Sequence, residues 1–209
     1  MSAAIQLGFD GLLREAETGN RRHRLDRQTA HLPGDMEGAI RHHRRQIEAY
    51  HAAVQALDLA AAEKIGREAR LMAVRVNHGE PGILATEDSP GRVISRRRAA
   101  KAGAVPRFGQ AGRFRIEIAG VPVLIALDGM FGLGGTPPGF AAHAVDFDRP
   151  FISETGFRSF LATFRKLTGG MTTADYVTAS IAAQVAGDLK GKLRPIAAEY
   201  RRAIARRAA

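Results

Sequence analysis

A run of apolar positions spaced alternately four and three residues apart places the strongest constraint on this chain. Met36, Ile40, His43, Ile47, Tyr50, Val54 and Leu57 fall on one face of an α-helix, while Arg41, Arg44, Arg45, Glu48 and His51 lie largely outside that stripe. Asp35 stands immediately before it, where a carboxylate can accept a hydrogen bond from an unpaired amide of the first turn. Asp58 repeats the signal. Leu59, Ala62, Ile65, Ala69, Met72 and Val76 form a second apolar face, with Gly79 suited to its C-terminal cap. So short a connection makes the two helices antiparallel neighbours, giving a helical hairpin over residues 35–79. No second copy recurs at a fixed period, which argues against a repeat array.

From residue 80 the punctuation changes. Glu80-Pro81-Gly82 and Ser89-Pro90-Gly91 bracket Ile83 to Thr86, an expected short strand with Val93 to Ser95 as its partner. Phe114, Ile116 and Ile118 alternate with Arg113, Arg115 and Glu117, the pattern of a half-buried strand. Ala119-Gly120 turns the chain into a more buried strand over Val121 to Leu127, with Pro122 near its start because proline has no N–H for the ladder. After the Gly/Pro-rich stretch Gly129 to Gly139, Val145 and Phe147 alternate with Asp146 and Asp148. Ser153 or Thr155 is expected to cap a short helix carrying Phe157, Phe160, Leu161 and Phe164. Thr172 or Thr173 begins a long C-terminal helix with Val177, Ile181, Val185 and Leu189 inward, broken at Pro195. A basic helical segment, Ile196 to Arg207, follows.

Residues 1–34 read as a basic, partly flexible arm. Ile5, Leu7 and Phe9 alternate as in a short strand, the run Arg21, Arg22, Arg24 and Arg27 follows, and Pro33-Gly34 closes the segment. The expected fold class is α+β: an N-terminal helical hairpin, a small antiparallel sheet, and a long C-terminal helix packed back in an α+β domain over residues 80–209.

Charge narrows the partners. Lys and Arg number 31 against 21 Asp and Glu, a net charge of +10, and cysteine is absent. That removes a disulfide scaffold, a thiol nucleophile and any cysteine-ligated metal. Heavy use of arginine can reflect a GC-rich genome, which accounts for Arg in place of Lys but not readily for the excess itself. No stretch approaches the roughly 18 apolar residues of a membrane span. Met1 to Arg14 lack the basic head and apolar run of a secretory leader, so a cytoplasmic, membrane-free protein is expected.

The excess charge is local. Residues 92–115 hold eight Lys/Arg and no acid, and residues 21–45 and 190–207 are the other two basic segments. Two of them on one face would make a phosphate-tracking surface. The favoured contacts are Arg41, Arg44, Arg45, Arg96, Arg97, Arg98, Lys101, Arg113 and Arg115, with Arg96 to Lys101 on a mobile loop. Phe108 and Phe114 are candidates for base stacking, although the alternation around Phe114 favours the core. Non-catalytic nucleic-acid binding (DNA or RNA) is therefore the first expectation. A protein-interaction module acting on an acidic or nucleic-acid-bound complex, such as a CRISPR or restriction complex of a host defence system, is the second. A metal-dependent enzyme is third: His143, Asp146 and Asp148 are close in sequence, but spacing alone specifies little and a plain strand-end turn accounts for them.

No cofactor is expected. The stretch Gly129-Met-Phe-Gly132-Leu-Gly134-Gly135 fails as a dinucleotide fingerprint, because Pro137 stands where glycine is needed, and it lacks the Lys-Ser/Thr pair of a P-loop. His42-His43 and His78 have no partners at ligand spacing, and His43 reads as a satisfied, half-buried histidine. Ser153 lies in no nucleophile-elbow motif.

Three stretches carry a resemblance: Val76 to Gly91 (VNHGEPGILATEDSPG), Phe151 to Phe160 (FISETGFRSF), and Ala183 to Leu193. They resemble segments of uncharacterised proteins carried by bacterial plasmids, phages and integrative elements. The likeness spans about residues 76–193 and implies a mobile-element setting with no specific activity.

Overall fold

A computed structural model describes residues 2–80, 86–132, 139–161 and 166–201. Helix α1 (Ser2–Thr29) precedes the hairpin of α2 (Met36–Gln55) and α3 (Leu59–Val76). A short helix α4 (Pro90–Arg97) leads into a sheet of β1 (Ala111–Ile118), β2 (Val121–Asp128), β3 (Phe140–Ala144) and β4 (Phe157–Phe160). Helix α5 (Thr173–Gly187) closes the core. The architecture is α+β, as the patterning implies.

The hairpin forms where its caps place it. Asp35 accepts from the Gly38 amide at 2.8 Å, and Asp58 from Ala61 at 3.0 Å. The apolar stripes bury Ile40, His43, Ile47, Tyr50 and Val54 on one helix and Ala62, Ala69 and Met72 on the other. Both helices end in a left-handed residue that is not glycine. Leu57 (φ 61°) and His78 (φ 57°) each hold this position, with the six-to-one bonds Asp58 N–H to Ala53 C=O and Gly79 N–H to Val74 C=O closing the turns. After α3 the chain is left-handed at His78 and again at Gly79 (φ 92°), the glycine that the sequence nominates. Because a side chain costs about 1–2 kcal/mol in that conformation and His78 is exposed, His78→Gly raises the unfolding free energy by about 1 kcal/mol in urea titrations. An unchanged or lower value refutes the capping account.

The sheet is a meander in the order β1-β2-β3-β4, every pair antiparallel. Ala119 (φ 49°) and Gly120 (φ 74°) make the two-residue turn joining β1 to β2. Register sorts the faces. Phe114, Ile125 and Ala142 lie side by side on the inner face, and Arg115, Leu124, His143 and Phe157 on the outer one. Tyr176, Val177 and Ile181 of α5 and Tyr50 and Val54 of α2 share the core with that inner face. Burying a ring such as Phe114 stabilises the fold by about 1.5–3 kcal/mol. A second cluster, Leu32, Ala39, Ile40, Met72 and Ile94, seats α4 on the hairpin. Thr172 and Asp175 form a reciprocal capping box at the start of α5.

Several local expectations give way to tertiary packing. The alternating Ile5, Leu7 and Phe9 lie within α1 and not in a strand; the segment contains no proline and is rich in helix-forming Ala, Leu, Arg and Glu. Its last residue is tied to α3, since Arg75 donates to the Thr29 carbonyl. Val93 to Ser95 are helical, because Ser89-Pro90 opens a helix in place of a turn and Ile94 needs the hairpin to bury it. Phe157 to Phe160 form strand β4 where a helix is expected, after a turn at Gly156 (φ 72°). Asp146 and Asp148 lie beyond the end of β3, and Asp146 accepts from the Asp148 amide at 2.9 Å in a tight turn. The C-terminal helix stops at Gly187, short of Pro195, and Arg194 then bridges to Phe151. The expected strand at residues 83–86 and the helical positions Phe164 and 202–207 fall almost wholly outside the described residues.

Candidate nucleic-acid interface

The acid-free segment is not a free loop. Arg96 and Arg97 form the last turn of α4, and Arg98 caps it. Ser95 Oγ donates to the Asp128 carbonyl at 3.1 Å, the Ala100 amide to Ala111 at 2.9 Å, and Gln110 Nε2 to the Arg98 carbonyl at 3.0 Å. Arg98 itself donates through Nε to the Ile40 carbonyl at 2.8 Å, fastening α4 to α2. This arginine is a structural staple. The other cations stand on a rigid frame.

That frame brings two of the basic segments together. Arg44 of α2 meets Arg97, Arg98 and Arg107 around a concavity of about 380 Å³ whose single acid is Glu48. Glu48 lies 3.5 Å from Arg44 and 3.9 Å from Arg107. Exposed pairs of this kind contribute about 0–1 kcal/mol, so a phosphate can displace the carboxylate. Ala99 on the rim also lines a second concavity of about 700 Å³, bordered by Arg113 and Arg115 and by one acid, Asp128. The basic surface therefore continues from the α2/α4 cleft over residues 99–103, with Lys101 exposed among them, onto the sheet.

Other expected contacts are drawn elsewhere. Arg96 pairs with Glu87 at 3.1 Å and also donates to its carbonyl, and Arg92 lies 3.6 Å from the same carboxylate. Arg41 shares the outer side of α2 with Arg44 by helical spacing and is exposed. Arg45 sits toward His42, whose pKa is lowered by burial first and by the Arg45 charge second. In the third basic segment, Arg194 pairs with Glu154 and Arg201 with Asp148.

Both proposed stacking rings are in the core: Phe108 and Phe114 are buried. Phe108 packs edge-on against Tyr176, and its amide donates to His51 Nδ1 at 3.2 Å. Burial, then the Arg107 charge, lowers His51. His43 is partnered as expected but fully buried where half-burial is expected, 3.3 Å from Gln46 and 4.9 Å from the Phe131 ring. His143, Asp146 and Asp148 do not converge. The His143 ring faces Phe157, and among the described residues no three His, Asp or Glu side chains gather as metal ligands would. Sequence reasoning missed Arg107, which lies in an aperiodic loop, and Phe157, whose outward position exists only once β4 pairs with β3.

Residues 111–202 match the KlcB third domain. The matched segment opens on the first residue of β1 and takes in the whole sheet and α5, so Arg113, Arg115, His143 and Phe157 lie inside it and Arg44 and Arg97 outside. Two Escherichia coli proteins called KlcB are similar over more of the chain. One is 37% identical over 179 residues, covering 84% of this chain and 43% of the relative. The second is 34% identical over 157 residues, 75% of this chain and 33% of the relative. The likeness to KlcB thus reaches beyond the third domain into the helical half, and the chain spans less than half the length of these bacterial relatives. No solved structure matches it. Among the described residues, no helix is long and apolar enough to cross a membrane.

Proposed function

We propose that this chain is a non-catalytic nucleic-acid-binding protein of a bacterial mobile element, holding phosphates in the α2/α4 cleft. The observation that carries this reading is the meeting of Arg44, Arg97 and Arg107 around one concavity, against Glu48 alone. Two segments far apart in sequence contribute to it, and the hydrogen bonds of Arg98 and Gln110 hold them in register. Pre-positioned guanidinium groups suit phosphate oxygens because their planar donors engage two acceptors at once. Such contacts fix a nucleic acid in place without reading its bases.

Counterion release gives the test. With about four phosphates engaged, affinity for a 20-base-pair duplex falls roughly 100-fold between 50 and 200 mM salt. Fluorescence anisotropy with labelled duplex measures it. The exposed double variant Arg44→Glu/Arg97→Glu lowers affinity at 50 mM by about ten-fold or more and flattens the salt slope by about two. Absence of duplex binding at 50 mM salt, or binding indifferent to salt and to both substitutions, refutes the reading.

A further inference from the structure

The outer face of the sheet has no helix packed on it among the described elements, in contrast to the inner face. Its middle row is Arg115, Leu124, His143 and Phe157, direct neighbours across the four strands. Three inter-strand steps make that row about 14 Å long. Phe157 is a large ring left 47% exposed, and the His143 ring lies against it at 5.0 Å. Arg113 and Arg115, two residues apart on β1, stand about 7 Å from one another on the same face. Neither makes an ion pair among the described residues, although Glu117, two residues beyond Arg115, and Asp128, diagonal to Arg113, flank the pair on the same face.

Phe157 is also held firmly. Ser153 Oγ donates to its carbonyl at 2.7 Å, and Thr155 Oγ1 donates to the same oxygen at 3.0 Å while accepting from its amide at 3.2 Å. On the other face of β4, with the Gln184 amide oxygen turned toward it, Arg158 donates two hydrogen bonds to α5 at 2.7 and 3.0 Å. The exposed ring therefore rides on an anchored strand, so its exposure is not a product of a loose end.

We infer that this outer face binds single-stranded nucleic acid, with a base stacked on Phe157 beside His143 and neighbouring phosphates on Arg113 and Arg115. An aromatic ring accepts any unpaired base through its π-face, whereas a duplex keeps its bases stacked inside and offers nothing to it. The flanking arginines supply the charge complementarity that an apolar partner would not need. His143 is neutral near pH 7, since burial first and the Arg113 charge second lower its pKa, so it joins the platform as a ring and not as a competing cation. The inference rests on the nucleic-acid reading above and adds to it a second, single-strand contact on the sheet.

The test compares a labelled 20-nucleotide oligothymidylate with a duplex of equal length at 50 mM salt. Phe157→Ala, a change at an exposed position, weakens oligothymidylate binding about ten-fold and leaves duplex binding unchanged, the loss of one stacked base. Because the chain has no tryptophan, Phe157→Trp restores the affinity and provides a single indole, excited apart from the tyrosines, that the stacked base quenches. Unaltered oligothymidylate affinity in Phe157→Ala, with duplex binding intact, overturns the inference and leaves the cleft reading standing. Failure of both ligands to bind overturns both. A wild-type dimer in sedimentation that Phe157→Ala dissociates would assign the face to a second copy of the chain and equally overturn the inference.

Discussion

Gly129→Ala lowers the unfolding free energy by about 3 kcal/mol or more, the sum of a left-handed backbone cost and an overlap that cannot relax. Gly129 has φ 71°, and a Cβ there would meet the Ala111 amide nitrogen at 2.8 Å and the Gly109 carbonyl at 2.9 Å. Both are backbone atoms, so no flexible side chain can swing aside. Gly120 is the control. It has φ 74° but open space around its Cβ direction, so Gly120→Ala costs only about 1–2 kcal/mol. Urea unfolding of the two variants separates conformation from contact, and equal losses would refute the crowding argument. At the Gly129 crossing Met130 donates to Gly109 at 3.1 Å, joining the end of β2 to the segment that carries Arg97 and Arg107, so forcing it apart should also weaken duplex binding. The glycine-rich stretch thus serves close backbone approach here, which explains glycine at its first position without any nucleotide loop.

Acidification destabilises the protein through His43. Burial pushes its pKa down to about 4 from the ordinary 6.5, opposed only by the hydrogen bond with Gln46. Above pH 6.5 the imidazole is neutral in both folded and unfolded chains. Between 6.5 and 4 only the unfolded chain takes up the proton, so stability declines as pH falls, by about 2.5 kcal/mol between pH 7.5 and 4.5. His42, His51 and His143 are shifted the same way and add to the trend. Urea titrations at the two pH values measure the difference, and His43→Leu should remove most of it. If that variant keeps the full decline, another group is responsible. Since His43 lies against Phe131 and near Arg98 at the α2/α4 junction, the same protonation loosens the seat of the cleft.

The hairpin was legible in sequence because its signals are local: two aspartate caps and two apolar stripes at helical spacing. The β1–β2 hairpin was equally plain, since Arg113 to Ile118 alternate strictly and Ala119-Gly120 fits a two-residue turn. Short elements were harder. Phe157-Arg-Ser-Phe160 can be either helix or strand until β3 offers it an edge, and Val93 to Ser95 become helical because Ile94 finds a buried seat between α2 and α3.

The candidate site divides in the same way. That arginines would carry the surface follows from a net charge of +10 and a segment with no acid. Which arginines is a matter of partners that lie far off in the chain. Arg98 is drawn to Ile40, Arg96 to Glu87, and Arg44 to the company of Arg97 and Arg107. Composition and periodicity alone determined the α+β class, the hairpin and the basic character, because caps, stripes and net charge depend only on nearby residues or on totals. The tertiary structure decided which cations share a surface and that Phe157 is exposed while Phe108 and Phe114 are buried, because strand pairing and helix packing set which way a side chain faces.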